Sequence, residues 1–583
     1  MEDFKSKNID GNNLIKISKK DKGIETLRFV TEKDIVIFII RPDKEIFNIV
    51  VEIHLMLKGM KKNLNEYIIF IPRENYDIIE YMTTNGFYYD FNIENFNVDL
   101  IPIDIDLFSL ERNDSIKEIY IDNNLSCVSD LANAIVKLET CFGKIKHKYI
   151  KGDIAQAFCD TMKEKEKENN LRIHEDEILG MIALDRSVDF ITLMTTNYTS
   201  EGLIDENIGI NLGKIKIKKS ILIDNLNVPS KDSNKVSDKD NDKLITYSLT
   251  TNLNPFYCSY RCMDYRDSLK YIKSVRDYYQ NMLAIKNSQK LSPSELKNFT
   301  EELHYFMGSF KNDLIMNENL IKYVIEPLLD KERMVYIQKE QVLLSGEMPN
   351  DLHNYYDEML CEQKDLISLI KLMVIESLTQ NGVSGYQKLK REILNIYGFQ
   401  KVFLFRDLES LGWLKEKQKL KNLKNFTHLT YGQLYEKLKL LNDNYEPKNI
   451  QDCSYVLSGY CPISLKIVES AVYGRWNSIF DILSKIPGAT IFPENEELIS
   501  NPLKDKNIMF IVFVGGVTYT EIEAIRFLNR KFNEENEKGK RKKTQFIILT
   551  TCILNSKKIL ENLGKDIYSP LTMRLFFEQI KKK

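Results

Sequence analysis

The sequence contains no long hydrophobic run. Its longest uninterrupted apolar stretches, Ile35–Ile40 and Ile508–Val514, are only a strand's length, well short of the ~20 residues a membrane-spanning helix needs. The first residues, Met1-Glu-Asp-Phe-Lys-Ser-Lys-Asn, are charged and have no apolar core, so the expectation is a chain without a secretory leader. Neither sign of charge is in excess: 82 Lys and Arg stand against 84 Asp and Glu. That balance argues against a protein built to coat nucleic acid or anionic lipid, and any basic face has to be local. Histidines number only six (His54, His147, His174, His304, His353 and His428), widely spread and without an H-E-x-x-H pair. The nine cysteines form no C-x-x-C pair, and Cys258-x-x-x-Cys262 has no second pair to match it. Zinc and a disulfide framework are both disfavoured, and an odd number of scattered thiols fits a reducing, cytosolic compartment.

What is present is enough to fold. Hydrophobic residues make up 43% of 583 positions and aromatics 10%, which excludes wholesale disorder; the length predicts about three to five domains. In the first ~110 residues, β-type runs at Ile35–Ile40 and Tyr67–Ile71 each end at a proline turn. Between them Ile46, Ile49, Val50, Ile53 and Leu57 have helical spacing, and Val98–Ile105 is a third run. Strand, helix and strand at short intervals predict a mostly parallel sheet. A second α/β block follows, with Ile116–Ile121 read as a strand, Ser129–Leu138 as a helix and Ile178–Leu184 as a buried strand. Residues 229–243 are polar and read as a solvated loop.

From about Leu244 to Ile479 long helices take over. Leu269, Ile272, Val275, Tyr279 and Met282 form one helical stripe. Ser292-Pro-Ser-Glu295 is a capping box opening a second stripe of Leu296, Phe299, Leu303, Phe306 and Phe310, so the pair reads as a helical hairpin. The last ~100 residues return to α/β: strand Ile508–Val514, the Gly515-Gly516 break, a capping box Thr518-Tyr-Thr-Glu521 opening a helix to about Arg530, a charged loop Glu534–Lys543, and strand Phe546–Leu549. An α/β block interrupted by ~230 helical residues suggests one domain made from two separated segments.

Candidate chemistry is sparse. Gly209-Ile-Asn-Leu-Gly213-Lys214-Ile215 approaches a phosphate loop but is one residue short and lacks the Ser or Thr for Mg²⁺. Gly515-Gly516, between a strand and a helix N-terminus, has the topology of an anion site, and a turn needing positive φ accounts for it equally. Asp185, Arg186 and Asp189 stand at the carboxyl end of a buried strand, where open α/β sheets place ligands. Two acids around an arginine serve either general-base or metal chemistry, or a structural ion pair fixing a loop. No Gly-x-Ser-x-Gly elbow is present. On the residues alone no catalytic, cofactor-binding or metal site emerges; an enzyme reading has only a small anionic ligand near Gly515, Gly516 and Thr518.

Four stretches together resemble the SM (Sec/Munc) family of SNARE-binding proteins, in particular its vacuolar protein sorting-associated protein 33 branch. They are Leu184-Asp-Arg-Ser-Val-Asp-Phe-Ile-Thr192 with Glu201-Gly-Leu-Ile-Asp-Glu206; Arg391-Glu-Ile-Leu-Asn-Ile-Tyr-Gly398 with Leu408-Glu-Ser-Leu-Gly-Trp-Leu414; Asp452-Cys-Ser-Tyr-Val-Leu-Ser-Gly-Tyr-Cys-Pro-Ile-Ser464; and Phe513-Val-Gly-Gly-Val-Thr-Tyr-Thr-Glu-Ile522, reaching Arg526. Order and spacing match the family from about Ile35 to Leu554. The resemblance implies an arch of three domains: an α/β domain at 1–110, an α/β domain split between 111–243 and 480–583, and a helical domain at 244–479 with a protruding hairpin at about 265–314.

It also implies a protein without catalytic turnover or cofactor. Such a protein binds R- and Qa-SNAREs and templates or proofreads their assembly for vesicle fusion in the endosome, lysosome or vacuole pathway. The branch is similar to the SM subunit of HOPS and CORVET tethers, docked through a vacuolar protein sorting 16 type subunit; a scaffold subunit without SNARE contact is the alternative. On the hairpin, Lys286, Lys290, Glu295, Lys297 and Glu301 are the candidate SNARE contacts, with Leu269, Ile272, Phe299 and Phe306 as its core. The resemblance makes Asp185, Arg186 and Asp189 a loop brace inside the second domain. Two departures stand out. Met1–Lys33 is short and polar where the family has an opening βα unit, and Thr192-Leu193 and Thr199-Ser200-Glu201 replace the family's Thr-Pro and Thr-Tyr-Glu.

Overall fold

The computed structural model describes residues 35–564 except 43, 60–64, 75, 170–176, 223–242, 288–309, 418–429, 443–444, 447–449, 493–506 and 540–542. These residues fall into two compact units that divide between Asp99 and Leu100.

In the first unit, β1 (Ile35–Ile40), β2 (Asn65–Phe70) and β3 (Asn92–Asn95) form a three-stranded sheet in that order. Both pairings are parallel. Parallel neighbours need a crossover, supplied by helices Lys44–Gly59 and Tyr76–Thr84. The expected stripe is the buried one: Val50, Ile53 and Leu57 pack with Phe47, Ile68, Phe70, Ile78 and Met82. His54, buried on the same helix, is held by the Glu66 carboxylate at 3.0 Å from Nδ1.

The second unit is built on a seven-stranded sheet ordered β10-β6-β7-β11-β13-β5-β4. Its strands are β4 (Ile101–Asp104), β5 (Leu107–Ser109), β6 (Lys144–Lys151), β7 (Glu177–Asp185), β10 (Thr490–Ile491), β11 (Asn507–Val514) and β13 (Thr544–Thr550). The inner strands are parallel, and β4 and β10 are antiparallel edges. Strands more than 300 residues apart in sequence thus lie side by side: Phe513 pairs with Leu184 and Val514 with Asp185.

Strand β11 shows why its run is unbroken by polar residues. Phe510, Val512 and Val514 face one core with helices Ser126–Phe142 and Asp153–Asn169. Met509, Ile511 and Phe513 face the other. A parallel strand covered on both faces has no solvent side to spend on polar residues. The second core continues without a break into the helical segment, through Ile321, Leu343, Ile370, Met373, Leu408, Trp413 and Ile467. Two small ladders complete the unit: β8 (Lys214–Lys218) with β9 (Leu244–Ser248), antiparallel, and β12 (Val517–Thr518) with β14 (Ile553–Leu554). Among the described residues no helix is long and apolar enough to cross a membrane, and all nine cysteines are free.

Three sequence-based expectations are corrected. Ile116–Ile121 is not a strand but lies in helix Ser115–Tyr120 and its cap, because Ile116 and Ile119, three apart, share the buried face. The first half of the supposed charged loop at Glu534–Lys543 is the end of helix Tyr519–Lys538, where Phe532 and Asn536 stay buried while the charges face water. The run at Val98–Ile105, expected with the first ~110 residues, supplies β4 to the larger sheet. The expected polar loop at residues 229–242 and most of the expected second hairpin helix, with Leu296, Phe299, Leu303 and Phe306, lie outside the described residues.

Helix Leu366–Thr379 runs through the core and carries a carboxylic acid there. Glu376 is fully buried and accepts a hydrogen bond from the Tyr356 hydroxyl at 2.9 Å. Burial pushes its pKa up from 4.5 to about 7, against the opposing pull of that hydrogen bond. Its folded-state pKa therefore lies above the unfolded value. The stability this brings is complete below about pH 4.5 and lost as pH rises through about 7. Between pH 5 and 8 the native chain is expected to lose up to about 3 kcal/mol relative to Glu376→Gln, measured by denaturant unfolding. Parallel pH profiles for the two proteins would refute this assignment.

Candidate functional site

Two places in the second unit hold the residues singled out by sequence: a buried polar junction at the carboxyl edge of the sheet, and the first helix of the expected hairpin.

At the junction, β7 ends at Asp185, whose carboxylate accepts from Ile154 N and Ser187 N at 2.9 Å each and from the Tyr120 hydroxyl. Gly152 makes room for it, since a Cβ there would overlap Asp185 Cβ at 2.0 Å. Arg186 is fully buried. It donates to Glu521 Oε2 at 2.7 Å and to the carbonyl of Asp189, while its Nε has no partner among the described residues. Asp189 accepts from the Thr192 N–H at 3.0 Å, the Thr192 hydroxyl at 2.8 Å and the Ser464 N–H at 3.2 Å.

Glu521 closes the circuit from the other side. It receives the Ser464 hydroxyl at 2.5 Å, and with Thr518 it forms the expected capping box, taking the Thr518 N–H at 3.0 Å and hydroxyl at 2.9 Å. Burial opposes its charge, but the Arg186 guanidinium holds its pKa below the ordinary value. Burial pushes the neighbouring Asp189 upward. One arginine thus compensates one full carboxylate and part of a second.

Gly515 and Gly516 have φ of +96° and +111°. A Cβ at Gly515 would lie 2.9 Å from Arg186 Cβ, and one at Gly516 would lie 2.5 Å from Leu554 Cγ. The glycines admit protein rather than ligand, and the anion at this helix N-terminus is the chain's own Glu521. The other glycine motif fares similarly: Gly213 leads into strand β8, not a helix, so it lacks the helix N-terminus that a phosphate loop needs.

The junction extends through residues whose partners sequence reasoning missed. Arg526 binds Glu201 at 2.7 Å and Asp106 at 2.8 and 2.9 Å. Glu206 receives Arg333 and Lys371 at 3.0 Å each. Burial alone would raise its pKa, and the two cations bring it down to about 2. The Thr196 N–H and hydroxyl both donate to Glu340, at 2.7 and 2.8 Å. Trp413 meets Phe190 edge-on at 5.2 Å. The polar stretches from 184, 201, 452 and 513, and Trp413 of the remaining one, therefore meet across one region. The signal available was polar residues inside otherwise apolar segments, though nothing local names their partners.

The helix expected to open the hairpin spans Tyr265–Asn287. Ser268 and Ile272 are buried, Leu269 packs against the core, and beyond Ile272 no described side chain of this helix is buried. Its base borders a groove of about 600 Å³ lined by Pro255, Phe256, Tyr271, Val275, Tyr278 and Phe310, among others. Phe256 stacks on Tyr271 at 6.1 Å and meets Phe310 edge-on at 5.2 Å, while Tyr278 stays 53% exposed. Of the candidate contacts, Lys286 lies in the last turn of this helix, whereas Lys290, Glu295, Lys297 and Glu301 are outside the described residues. The groove residues Phe256, Tyr271 and Tyr278 were not among the sequence candidates. Tyr271, Val275 and Tyr278 recur at spacings of four and three, a second apolar face on this helix.

Comparison with known proteins agrees with this architecture. The pattern defining the Sec1 family matches residues 1–562, and the chain belongs to that family. The match starts at residue 1, which corrects the expectation that Met1–Lys33 falls outside it. Vacuolar protein sorting-associated protein 33A of Rattus norvegicus is 27% identical over 552 residues, covering 91% of this chain and 86% of that protein. The vacuolar protein-sorting-associated protein 33 homolog of Arabidopsis thaliana is 25% identical over 524 residues, 86% of this chain and 81% of that one. The fold is that of the Unc18–syntaxin 1 complex from Monosiga brevicollis, with a TM-score of 0.55 at 13% identity over 92% of this chain and 89% of that one. The SM protein Vps45 in complex with the Qa SNARE Tlg2 gives a TM-score of 0.53 at 14% identity over 90% and 85%.

Removing one side of the junction should be costly. Arg186→Met leaves Glu521 buried without its cation and is expected to cost about 3–5 kcal/mol, with part regained in the Arg186→Met/Glu521→Gln double variant. Gly516→Ala, forced to positive φ against Leu554, should cost about 2–4 kcal/mol. Denaturant unfolding measures all three; an Arg186→Met protein as stable as the native one would disprove the brace.

Proposed function

We propose that this SM protein acts by binding rather than by turnover, holding SNARE helices on the hairpin begun by Tyr265–Asn287. The observation carrying this reading is that helix: buried at Ser268 and Ile272, it has no buried side chain beyond Ile272 among the described ones and borders an aromatic groove. An amphipathic helix is the ligand such a surface suits, since its apolar stripe enters the groove while its polar face stays in water. Tyrosines give contact area at low conformational cost.

In this reading an R-SNARE and a Qa-SNARE are held side by side, which offsets the ordering entropy of disordered SNARE segments and so templates or proofreads their assembly. Two solved relatives of the fold are complexes with syntaxin 1 and with the Qa SNARE Tlg2. The protein would work as the SM subunit of a HOPS- or CORVET-type tether, docked through a vacuolar protein sorting 16 type partner on endosomal, lysosomal or vacuolar membranes. Its similarity to vacuolar protein sorting 33 proteins supports that placement. Lys286, Lys290, Glu295, Lys297 and Glu301 are the proposed polar contacts around the hairpin turn.

The test is direct. The full chain is titrated with purified SNARE helical segments of the cell that makes it, by calorimetry, beside a Val275→Asp/Tyr278→Ala variant. Tyr278 is largely exposed, whereas Val275 is half-buried against the core, so the melting point is measured beside the affinity; a variant that melts as the native protein does should bind at least about tenfold more weakly. Unchanged affinity in the folded variant, or no SNARE binding by the native chain, would defeat the reading; recovery of tether subunits alone from the source cell would favour a pure scaffold.

A further inference from the structure

The ladder of β8 and β9 has two unlike faces. Ile215 and Ile217 are buried against the core, and Lys214, Lys216 and Lys218 alternate with them on the outer face. Across the ladder the three lysines stand opposite Ser248, Thr246 and Leu244, so the strands' own described residues add no carboxylate to this face. Lys219 follows and is exposed. No ion pair holds Lys214, Lys216 or Lys219 among the described residues.

At the Lys214 end three loops converge. A Cβ on Gly213 would lie 2.6 Å from Thr250 Cγ2 and 3.5 Å from the Ile103 carbonyl oxygen. This draws together the β4–β5 turn, the turn before β8 and the segment after β9. Each presents one aliphatic side chain to solvent: Ile105 at 56%, Leu212 at 45% and Leu253 at 68% exposure. The acids of the β4–β5 region are already neutralised, Asp104 by Arg261 and Asp106 by Arg526.

We infer that this end of the second unit is a membrane-contact surface, in which Ile105, Leu212 and Leu253 enter the headgroup boundary of an anionic bilayer and Lys214, Lys216 and Lys219 meet acidic lipid heads. Shallow apolar insertion backed by lysines is the chemistry of reversible attachment to acidic lipid. An acidic peptide would satisfy the lysines and leave the three aliphatic side chains in water, so a bilayer explains more of the surface. The contact is separate from the hairpin and does not depend on SNARE binding.

The experiment is cosedimentation of the full chain with vesicles of phosphatidylcholine alone and of roughly seven parts phosphatidylcholine to three of phosphatidylserine, at low and high salt. The native chain should bind the anionic vesicles, less so in salt, and ignore the neutral ones. A Lys214→Glu/Lys216→Glu/Lys219→Glu variant should lose on the order of a hundredfold in partitioning. Ile105→Ser/Leu212→Ser/Leu253→Ser should also bind more weakly with its charge intact. All substituted side chains are exposed, so both variants should keep the native melting point. Equal binding to both vesicle types, no vesicle binding, or a charge-reversed variant that binds as the native chain does would overturn the proposal. A serine variant with undiminished binding would do so too, pointing instead to an acidic polymer.

Discussion

The second unit depends on the buried ion pair between Arg186 and Glu521. Arg186 follows the end of β7, Glu521 lies in the first turn of the helix after β11, and Ser464, bonded to both Asp189 and Glu521, comes from the helical segment. One arginine therefore fastens three parts of the chain at the place where the parallel strands end. The geometry that elsewhere receives a phosphate or a carboxylate ligand is here filled by the protein's own acid. Open parallel sheets commonly place ligands at this edge; here the protein's own side chains occupy it.

That closure also explains how the helical segment is held. Burying Glu206, Glu340 and Glu201 is unfavourable unless each finds a partner, and their partners come from distant elements: Lys371 and Arg333 for Glu206, Thr196 for Glu340, Arg526 for Glu201. These polar contacts fix orientation across an apolar core that would otherwise tolerate sliding. The same ordered base carries the helix Tyr265–Asn287, whose Ser268 and Ile272 are buried and whose Arg276 pairs with Glu318 at 2.6 Å. A docking surface loses less on binding when its base is already ordered.

Much of this was legible in the residues. The unbroken run Ile508–Val514 announced a strand covered on both faces, and Thr518 with Glu521 announced a helix start. The stripe through Leu269 and Ile272 announced the helix Tyr265–Asn287. Misreadings arose where a short segment satisfied two periods at once. Ser115–Tyr120 places two isoleucines three apart, which suits one helical face, within a run short enough to read as a strand. The charges of Glu534–Lys538 looked like a loop because the buried partners on the same helix, Phe532 and Asn536, lie on its other side.

The sequence by itself determined most of the strands and helices, which of their faces are apolar, and, through its four motif stretches, the family. Periodicity and caps act over a few residues, and local order suffices to read them. Only the tertiary structure decided partners: that Arg186 meets Glu521 across 335 positions, that Gly516 admits Leu554 instead of a ligand, and that Ile105, Leu212 and Leu253 share one end of a lysine-faced ladder. Which buried charge meets which is set by how the sheet and helices pack, and no local pattern records it.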